Sequence, residues 1–305
     1  MLKNYSKIDK KRFKFVFLML LFPILQFLVF YVYINFDSFV LAFTNIKGEF
    51  TLEHFEEIWS EIQNPSRLPL TESIIRSVIT WAIHIFILFP INILFSYALF
   101  KKVWGHKFFR VLFFLPGIIG SVVMTTLFRY LMDGPLSGLL YHFGVISEEM
   151  YQSGFFFGEV SFKMVLIYYI WINLGANIVV LTGALTRIPE SVLESARMDG
   201  VGFFREFFQI AVPLIWPTIS TLLIFQLGTI FTADGGTFLL TGLANADAST
   251  GGYYIFNYVY AMTNSGNVNG AHYPSAVGLL ITVFTMPFVL IVRHFIEKHT
   301  DNIEY

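Results

Sequence analysis

The stretch from Thr186 to Pro217 reads TRIPESVLESARMDGVGFFREFFQIAVPLIWP. Pro189 cannot continue a helix interior but suits a first turn, so the pattern predicts a short helix from Glu190 to about Met198. Gly200 can adopt the positive φ that ends such a helix. In the second amphipathic piece that follows, we expect one face to carry Phe203, Phe204, Phe207, Phe208 and Ile210 and the other to carry Arg205, Glu206 and Gln209. The stretch is therefore predicted to be a structured loop.

Long apolar segments flank this loop. The chain has 305 residues, of which 55% are hydrophobic and only 13% charged, whereas soluble domains carry about 25% charged residues. A helix needs about 20 mostly apolar residues to cross the hydrocarbon core of a bilayer. Six stretches meet this requirement, at 13–36, 73–100, 108–131, 162–185, 218–240 and 273–292. We therefore predict an all-α, polytopic membrane protein with six transmembrane helices, the first of which is too long for a signal-peptide core and is a retained anchor.

The distribution of charge predicts the orientation of these spans. With a cytoplasmic N-terminus, the inner segments hold 15 of the 20 basic residues, and only eight of the 21 acidic residues. An excess of Lys and Arg marks cytoplasmic loops. Both termini are therefore expected in the cytoplasm, with the 186–217 loop on the same side.

Several kinds of chemistry are excluded by absent residue types and motifs. The chain has no cysteine, so disulfides and thiol chemistry are excluded. Its net charge of −1 gives no indication of nucleic-acid binding. No Gly-Lys pair occurs, so there is no phosphate-cradling loop. His84 is the one ionisable residue well inside a span, and we interpret it as a neutral helix-contact residue. Energy for active transport must therefore enter through a partner.

The loop resembles a motif of one transporter family. Permeases of binding-protein-dependent ABC importers carry a cytoplasmic loop with Glu-Ala-Ala, three residues, Gly, nine residues, Ile, one residue and Leu-Pro. The matching positions here are Glu194-Ser195-Ala196, Gly200, Ile210 and Val212-Pro213. The carbohydrate-uptake branch adds an Ile-Pro and an Asp-Gly, matched by Ile188-Pro189 and Asp199-Gly200. Ser195, Val201 and Val212 are conservative departures.

The resemblance implies a domain order and a role for the loop. The expected order is a basic cytoplasmic N-terminus (1–12), a first transmembrane helix (13–36), an extracellular loop (37–71), a five-helix permease core (72–295) containing the 186–217 loop, and a cytoplasmic tail (296–305). Residues Glu190–Arg197 would form a coupling helix that docks on a soluble ATPase, with Glu194 and Ala196 at the contact. The ATPase-coupling residues implied are Glu194, Ser195, Ala196, Asp199, Gly200, Ile210 and Pro213.

The same resemblance implies partners and a location. The expected partners are a second homologous permease subunit in a heterodimer, two cytoplasmic ABC ATPase subunits, an extracellular solute-binding protein and the lipid bilayer of a prokaryotic plasma membrane, with no nucleic acid. The chain itself is expected to be no enzyme, with no catalytic or metal-binding residues. It would bind no cofactor, since ATP and magnesium are used by the ATPase.

Uncharged polar residues within the spans are candidates for the translocation path. They are Tyr168, Asn173, Asn177, Gln226, Thr229 and Thr232. Hydroxyls and amides suit a sugar, but such residues also hold transmembrane helices together. Alternatives are an ABC permease for a polyamine, phosphate or amino acid, and an ion-coupled secondary transporter, which would require more spans or an ionisable pair in mid-bilayer. The sequence does not identify the solute.

Overall fold

The computed structural model describes residues 2–64, 69–243, 245–264 and 271–300. Parts of the predicted N-terminus, extracellular loop and tail (residue 1, 65–68 and 301–305) lie outside the described residues. Within the described ranges the chain is helical, with one isolated antiparallel bridge between Thr44 and Phe50. It divides into two compact units, one made of 1–60 and 258–280 and the other of 61–257 and 281–305.

Five helices lie among the described residues of the first half of the chain. Helix α1 is continuous through a π-helical turn. Helices α3 and α5 contain π-helical turns as well. The bounds are α1, Leu2–Phe27, Leu28–Tyr33 (π) and Ile34–Ala42; α2, Glu53–Gln63; α3, Leu70–Ile83, His84–Leu88 (π) and Phe89–Phe100; α4, His106–Ile118; and α5, Ser121–Leu131, Met132–Leu136 (π) and Ser137–His142.

Nine further helices follow within the ranges that the structure describes. A 3₁₀ turn at Gly158–Val160 precedes α7, and a π turn lies within α10. The bounds are α6, Glu148–Ser153; α7, Ser161–Asn173; α8, Ile178–Leu185; α9, Glu190–Met198; α10, Phe203–Glu206, Phe207–Ala211 (π) and Val212–Leu214; α11, Trp216–Gly228; α12, Thr237–Thr241; α13, Gly251–Asn264; and α14, His272–Thr300.

By length and apolar composition, the described residues contain four helices that could cross a membrane, or up to six spans if each of two bent helix pairs counts as one. Four are single segments, at Arg12–Ala42, Leu70–Phe100, Gly158–Leu185 and His272–Lys298. The two bent pairs are α4 with α5 and α10 with α11. None of the most apolar window of the first segment is buried inside the chain, as expected for a helix that faces lipid. The multi-pass, all-α architecture predicted from the sequence is confirmed.

Two predicted spans differ in shape from the observed helices. The stretch 108–131 is predicted to be one helix, but Ile119 is extended and the two halves meet at 110°. The stretch 218–240 is also predicted to be one helix, but α11 ends at Gly228. Gly235 and Gly236 then adopt φ of 67° and 84°, which L side chains rarely accept. Local backbone geometry, which hydropathy does not report, causes both differences.

Two other helices are longer than predicted. The helix expected at 13–36 runs from Leu2 to Ala42, and that expected at 273–292 runs from His272 to Thr300. The predicted extracellular loop at 37–71 therefore begins with helical residues and contains α2 as well.

The larger unit holds an apolar cluster that fixes the 186–217 loop to the spans. Side chains from α3, α8, α9, α10 and α11 pack together in it. The buried members are Phe89, Ile93, Tyr97, Leu181, Ala184, Leu185, Ile188, Leu193, Phe207, Ala211, Ile215 and Ile219. Burial of an aliphatic or aromatic side chain contributes roughly 1.5–3 kcal/mol. The loop is thus part of the core of this unit.

Candidate functional site

Helix α9 begins and ends where the sequence predicts. Pro189 precedes it with φ −58° and ψ 135°, and its carbonyl accepts from the backbone N–H of Val192 at 3.1 Å. Proline has no N–H to leave unpaired at this end. Glu190 lies in the first turn, where the helix dipole favours a negative charge.

The end of α9 is a Schellman turn that depends on Gly200. Its φ is +68°. The backbone N–H of Gly200 donates to the carbonyl of Arg197, and that of Val201 donates to the carbonyl of Ala196, both at 3.0 Å. These are the two hydrogen bonds of the motif. A Cβ added to Gly200 would have no atom within 4 Å, so the glycine is needed for its φ and not for space.

The two faces of α9 have different surroundings. Leu193 and Ala196 are 6% and 4% exposed and face the chain's own core. The implied contact of Ala196 with a partner is therefore corrected, because this chain itself covers the side chain. The opposite face is exposed, and spacings of three and four residues put its members on one side of the helix. They are Glu190, Glu194, Arg197 and Met198.

The remaining implied coupling residues shape the loop or border this face. Ser195 and Asp199 are exposed, and the Ser195 hydroxyl donates to the carbonyl of Ser191 at 2.8 Å. Ile210 and Pro213 are half-buried in α10.

Proline also explains the π turn in α10. Pro213 has no N–H to donate to the carbonyl four residues earlier. The preceding residue, Val212, donates its N–H to the carbonyl of Phe207, five residues back. Helix α10 then stops at Leu214, and α11 leaves at an angle of 74°.

The faces of α10 differ from the predicted arrangement. Glu206, expected on the polar face, is 3% exposed, and both its carboxylate oxygens accept from Lys101 Nζ at 2.8 and 2.9 Å. Phe204 and Phe208, expected on the apolar inner face, are mostly exposed. A simple helical wheel fails here because a cation at the end of α3 is a partner for the carboxylate, and because the π turn shifts the register.

Two of the six candidate path residues are helix-packing residues. Tyr168 is buried, and its hydroxyl is 2.8 Å from Thr125 Oγ1 on α5. The Asn173 side chain donates to the carbonyl of Tyr169, and the carbonyl of Asn173 accepts from Asn92 Nδ2 on α3. Both residues therefore hold neighbouring helices together.

Two other candidates meet at one small polar cavity. It is lined by Ser77, Thr80, Trp81, Tyr169, Gln226, Thr229, Ile230 and Ala233 and has a volume of about 10 Å³, room for about one water molecule. The Thr229 hydroxyl donates to the carbonyl of Gln226 at 2.9 Å. Trp81 Nε1 is buried and has no hydrogen-bond partner among the described residues. Outside the cavity, Thr232 is exposed and Asn177 is half-buried at the start of α8.

His84 lies one turn from this cavity on α3. Its Nδ1 is 2.9 Å from the hydroxyl of Tyr169 on α7, as expected for a helix-contact residue. In the part of the chain that the structure describes, no group of three or more His, Asp or Glu side chains could hold a metal ion.

Known proteins with similar sequences are transport permeases. No protein-family model matches the chain. The multiple sugar-binding transport system permease protein MsmF of Streptococcus mutans is 25% identical over 194 residues, covering 63% of this chain and 64% of MsmF, a little under two thirds of that relative. The polygalacturonan/rhamnogalacturonan transport system permease protein YteP of Bacillus subtilis is 26% identical over 311 residues, covering 95% of this chain and 89% of YteP.

The fold matches a solved transporter over nearly its whole length. A chain of a bacterial ABC transporter involved in import of the acidic polysaccharide alginate superposes with a TM-score of 0.76 and 22% identity, covering 96% of this chain and 99% of that chain. The alginate transporter in complex with an alginate pentasaccharide-bound periplasmic protein gives a TM-score of 0.75 at 22% identity, covering 94% and 95%. In fold the chain matches a chain of this ABC importer, and in sequence it is similar to transport permeases.

The 186–217 loop and the small cavity at Gln226 were only partly predicted from the sequence. The motif spacing located α9 and its glycine turn correctly. The motif did not predict that Lys101 pairs with Glu206, because the two residues lie 105 positions apart in the sequence. Of the path candidates, Gln226 and Thr229 come together, while Ser77, Thr80, Trp81 and Tyr169 were missed. The signal for Ser77, Thr80 and Trp81 was a polar or indole side chain at every third or fourth position of α3, which is weak in an aromatic-rich chain, and Tyr169 on α7 had no such signal.

Proposed function

We propose that this permease forms half of the translocation pathway of an ATP-driven importer for a sugar or oligosaccharide delivered by an extracellular solute-binding protein. The proposal rests on the way α9 is packed and ended. Its outer face is exposed and its inner face is packed into the core, and the Schellman turn at Gly200 holds its end. A helix held in this way can transmit a rigid-body movement of a partner to the spans.

The partner that fits the exposed face of α9 is a cytoplasmic ABC ATPase. The chain has no phosphate-binding loop of its own, so ATP and magnesium would be bound by that partner, in two copies. Glu194, with Ser195 and Asp199 beside it, would make the contact. Ala196, Gly200, Ile210 and Pro213 would hold the loop in the docking shape. This side of the membrane, and with it both termini, would be cytoplasmic, in accord with the excess of basic residues there.

A second permease subunit is needed to complete the pathway. The polar cavity at Gln226 and Thr229 has a volume of about 10 Å³, whereas a monosaccharide needs a space many times the roughly 30 Å³ that one water occupies in the liquid. The path for a sugar would therefore open where this permease faces a homologous subunit, in a heterodimer. Thr80, Trp81 and Gln226 would supply neutral hydrogen-bonding groups near that path.

The class of solute is supported by chemistry and by relatives. The side chains that line the cavity are uncharged, which suits the hydroxyls of a sugar better than a polyamine or a phosphate. MsmF is named for multiple-sugar transport and YteP for polygalacturonan/rhamnogalacturonan transport, and the structural match is involved in the import of alginate. A solute-binding protein is supported by the complex of the alginate transporter with a periplasmic protein.

Uptake by the reconstituted complex tests the proposal. The permease is co-expressed with its partner permease and ATPase, placed in proteoliposomes and supplied with its solute-binding protein. We expect ATP-dependent accumulation of a labelled oligosaccharide, with none in vesicles loaded with a non-hydrolysable ATP analogue. Accumulation driven by an ion gradient in the absence of ATP would contradict the importer assignment. Uptake of a polyamine or amino acid in place of any sugar would contradict the solute class.

A further inference from the structure

A buried ion pair joins the 186–217 loop to a span that is not its neighbour in sequence. Lys101 Nζ is 2.8 and 2.9 Å from the two carboxylate oxygens of Glu206. Their side chains are 18% and 3% exposed. Lys101 follows the last residue of α3, while Glu206 lies in α10, six residues after the glycine turn of α9. The pair therefore links α3 to the segment that carries the proposed docking helix.

Aromatic packing beside the pair makes the same connection. The Tyr97 ring, one turn before Lys101 on α3, lies 4.9 Å from the ring of Phe203 and 5.2 Å from that of Phe207. Leu193 of α9 belongs to the same apolar cluster. Rings at such separations pack as aromatic pairs. Aromatic and aliphatic side chains thus pack between α3 and the loop, beside the ion pair.

The burial of this pair needs an explanation other than stability. Moving two charges out of water costs several kcal/mol for each ion, so a buried pair is weak evidence for a stabilising role. Its best-attested use is to fix one register between two elements. A bidentate contact of one ammonium with both carboxylate oxygens specifies how α10 sits against the end of α3.

Helix α3 also reaches the polar cavity. Ser77, Thr80 and Trp81 line it, and Trp81 precedes Lys101 by 20 residues, about 30 Å along a helix. Helices α8 and α11 are attached to the loop through the chain itself. Helix α3 has no such covalent link, so a movement of α9 and α10 reaches it only through side-chain contacts.

We infer that Lys101 and Glu206 are positioning residues that transmit the movement of the coupling loop to α3, and through α3 to the Ser77–Trp81 side of the solute path. This inference rests on the proposed function. The loop is joined covalently to α8 and α11, and the ion pair would connect it to a third helix, α3. The pair would act only through the elements it joins and would touch neither solute nor ATPase.

The test uses the assembled transporter and measures solute moved per ATP hydrolysed. Glu206→Gln keeps the volume and an acceptor oxygen but removes the charge. We expect the complex to assemble, with transport lowered at least fivefold and the ratio of solute to ATP lowered with it. The double exchange Lys101→Glu with Glu206→Lys should restore both to within twofold of the wild type. Arg205→Gln is the matched control, because Arg205 is exposed and its Nε donates to Gln209 Oε1 within α10; it should change neither quantity.

Three results would overturn the inference. Glu206→Gln could transport at the wild-type rate and ratio. Transport could fall only in proportion to the amount of assembled complex, with the ratio unchanged, which would make the pair purely structural. The charge exchange could fail to restore a complex that is assembled and folded. If the wild-type complex itself moves no solute with ATP, the proposed function fails first, and that outcome is distinct from any of these three.

Discussion

Replacing Gly200 tests the shape of the coupling loop without touching its surface. The residue has φ of +68°, and an L residue in this left-handed region costs roughly 1–2 kcal/mol. An added methyl group meets no atom within 4 Å, so there is no steric term. Gly→Ala also restricts the unfolded chain, which offsets about 0.4–1 kcal/mol. The net cost to the Schellman turn is therefore about 1 kcal/mol.

A cost of this size changes the population of the folded turn measurably. Since 1.4 kcal/mol corresponds to a factor of ten, Gly200→Ala should lower the population of correctly ended α9 about fivefold relative to frayed forms. Gly200→Val adds a β-branched side chain to the same strained backbone and should have a larger effect. We expect both variants to insert normally, and Gly200→Val to lose transport while shedding the ATPase or uncoupling its hydrolysis.

Gly202 provides the matched control. It lies two residues further on, its φ is −74°, and a methyl group added there also meets no atom within 4 Å. Gly202→Ala should therefore retain transport and ATPase co-purification. Uptake in vesicles and pull-down of the ATPase are measured side by side for both alanine variants. Full activity of Gly200→Val, or equal losses in the two alanine variants, would refute the argument from φ.

Three further perturbations have defined outcomes. Thiol labelling from outside intact cells should reach a Glu53→Cys variant but not Arg205→Cys, and labelling of the latter would reverse the proposed topology. Tyr168→Phe removes one buried hydrogen bond and should destabilise the permease by about 1 kcal/mol, seen in thermal unfolding, with uptake per folded complex unchanged; a selective loss of uptake would return Tyr168 to the solute path. Gly175→Ala places a Cβ against the backbone carbonyl of Phe113 and should prevent stable folding, so a normal yield would show that α4 can shift away.

Local features of the loop were predictable because their causes lie within a few residues. A proline before α9 and a glycine after it fix the ends of the helix through φ alone. The outward position of Glu194 and the inward position of Leu193 follow from the helical period. The family motif located the segment, and the structure shows the turn that the motif's glycine makes.

Other features depend on contacts or backbone bends that composition does not report. Hydropathy located the apolar segments but missed the break at Ile119 and the stop at Gly228. The amphipathic pattern placed Glu206 in solvent, since its partner Lys101 is distant in sequence and the π turn alters the register. Polar residues within spans were identified correctly as polar, yet only the fold separates Gln226, at the cavity, from Asn173, in a helix contact.

The most direct test of the central claim is a crosslink from α9 to the ATPase. A photoreactive amino acid replaces Glu194 in the assembled transporter, and a second variant carries it at Trp59, which is exposed on α2 and predicted to lie on the opposite side of the membrane. On illumination, we predict a covalent adduct between the permease and the ATPase subunit from position 194 and none from position 59. An assembled, ATP-hydrolysing complex that gives no ATPase adduct from position 194 would contradict the assignment of α9 as the coupling helix.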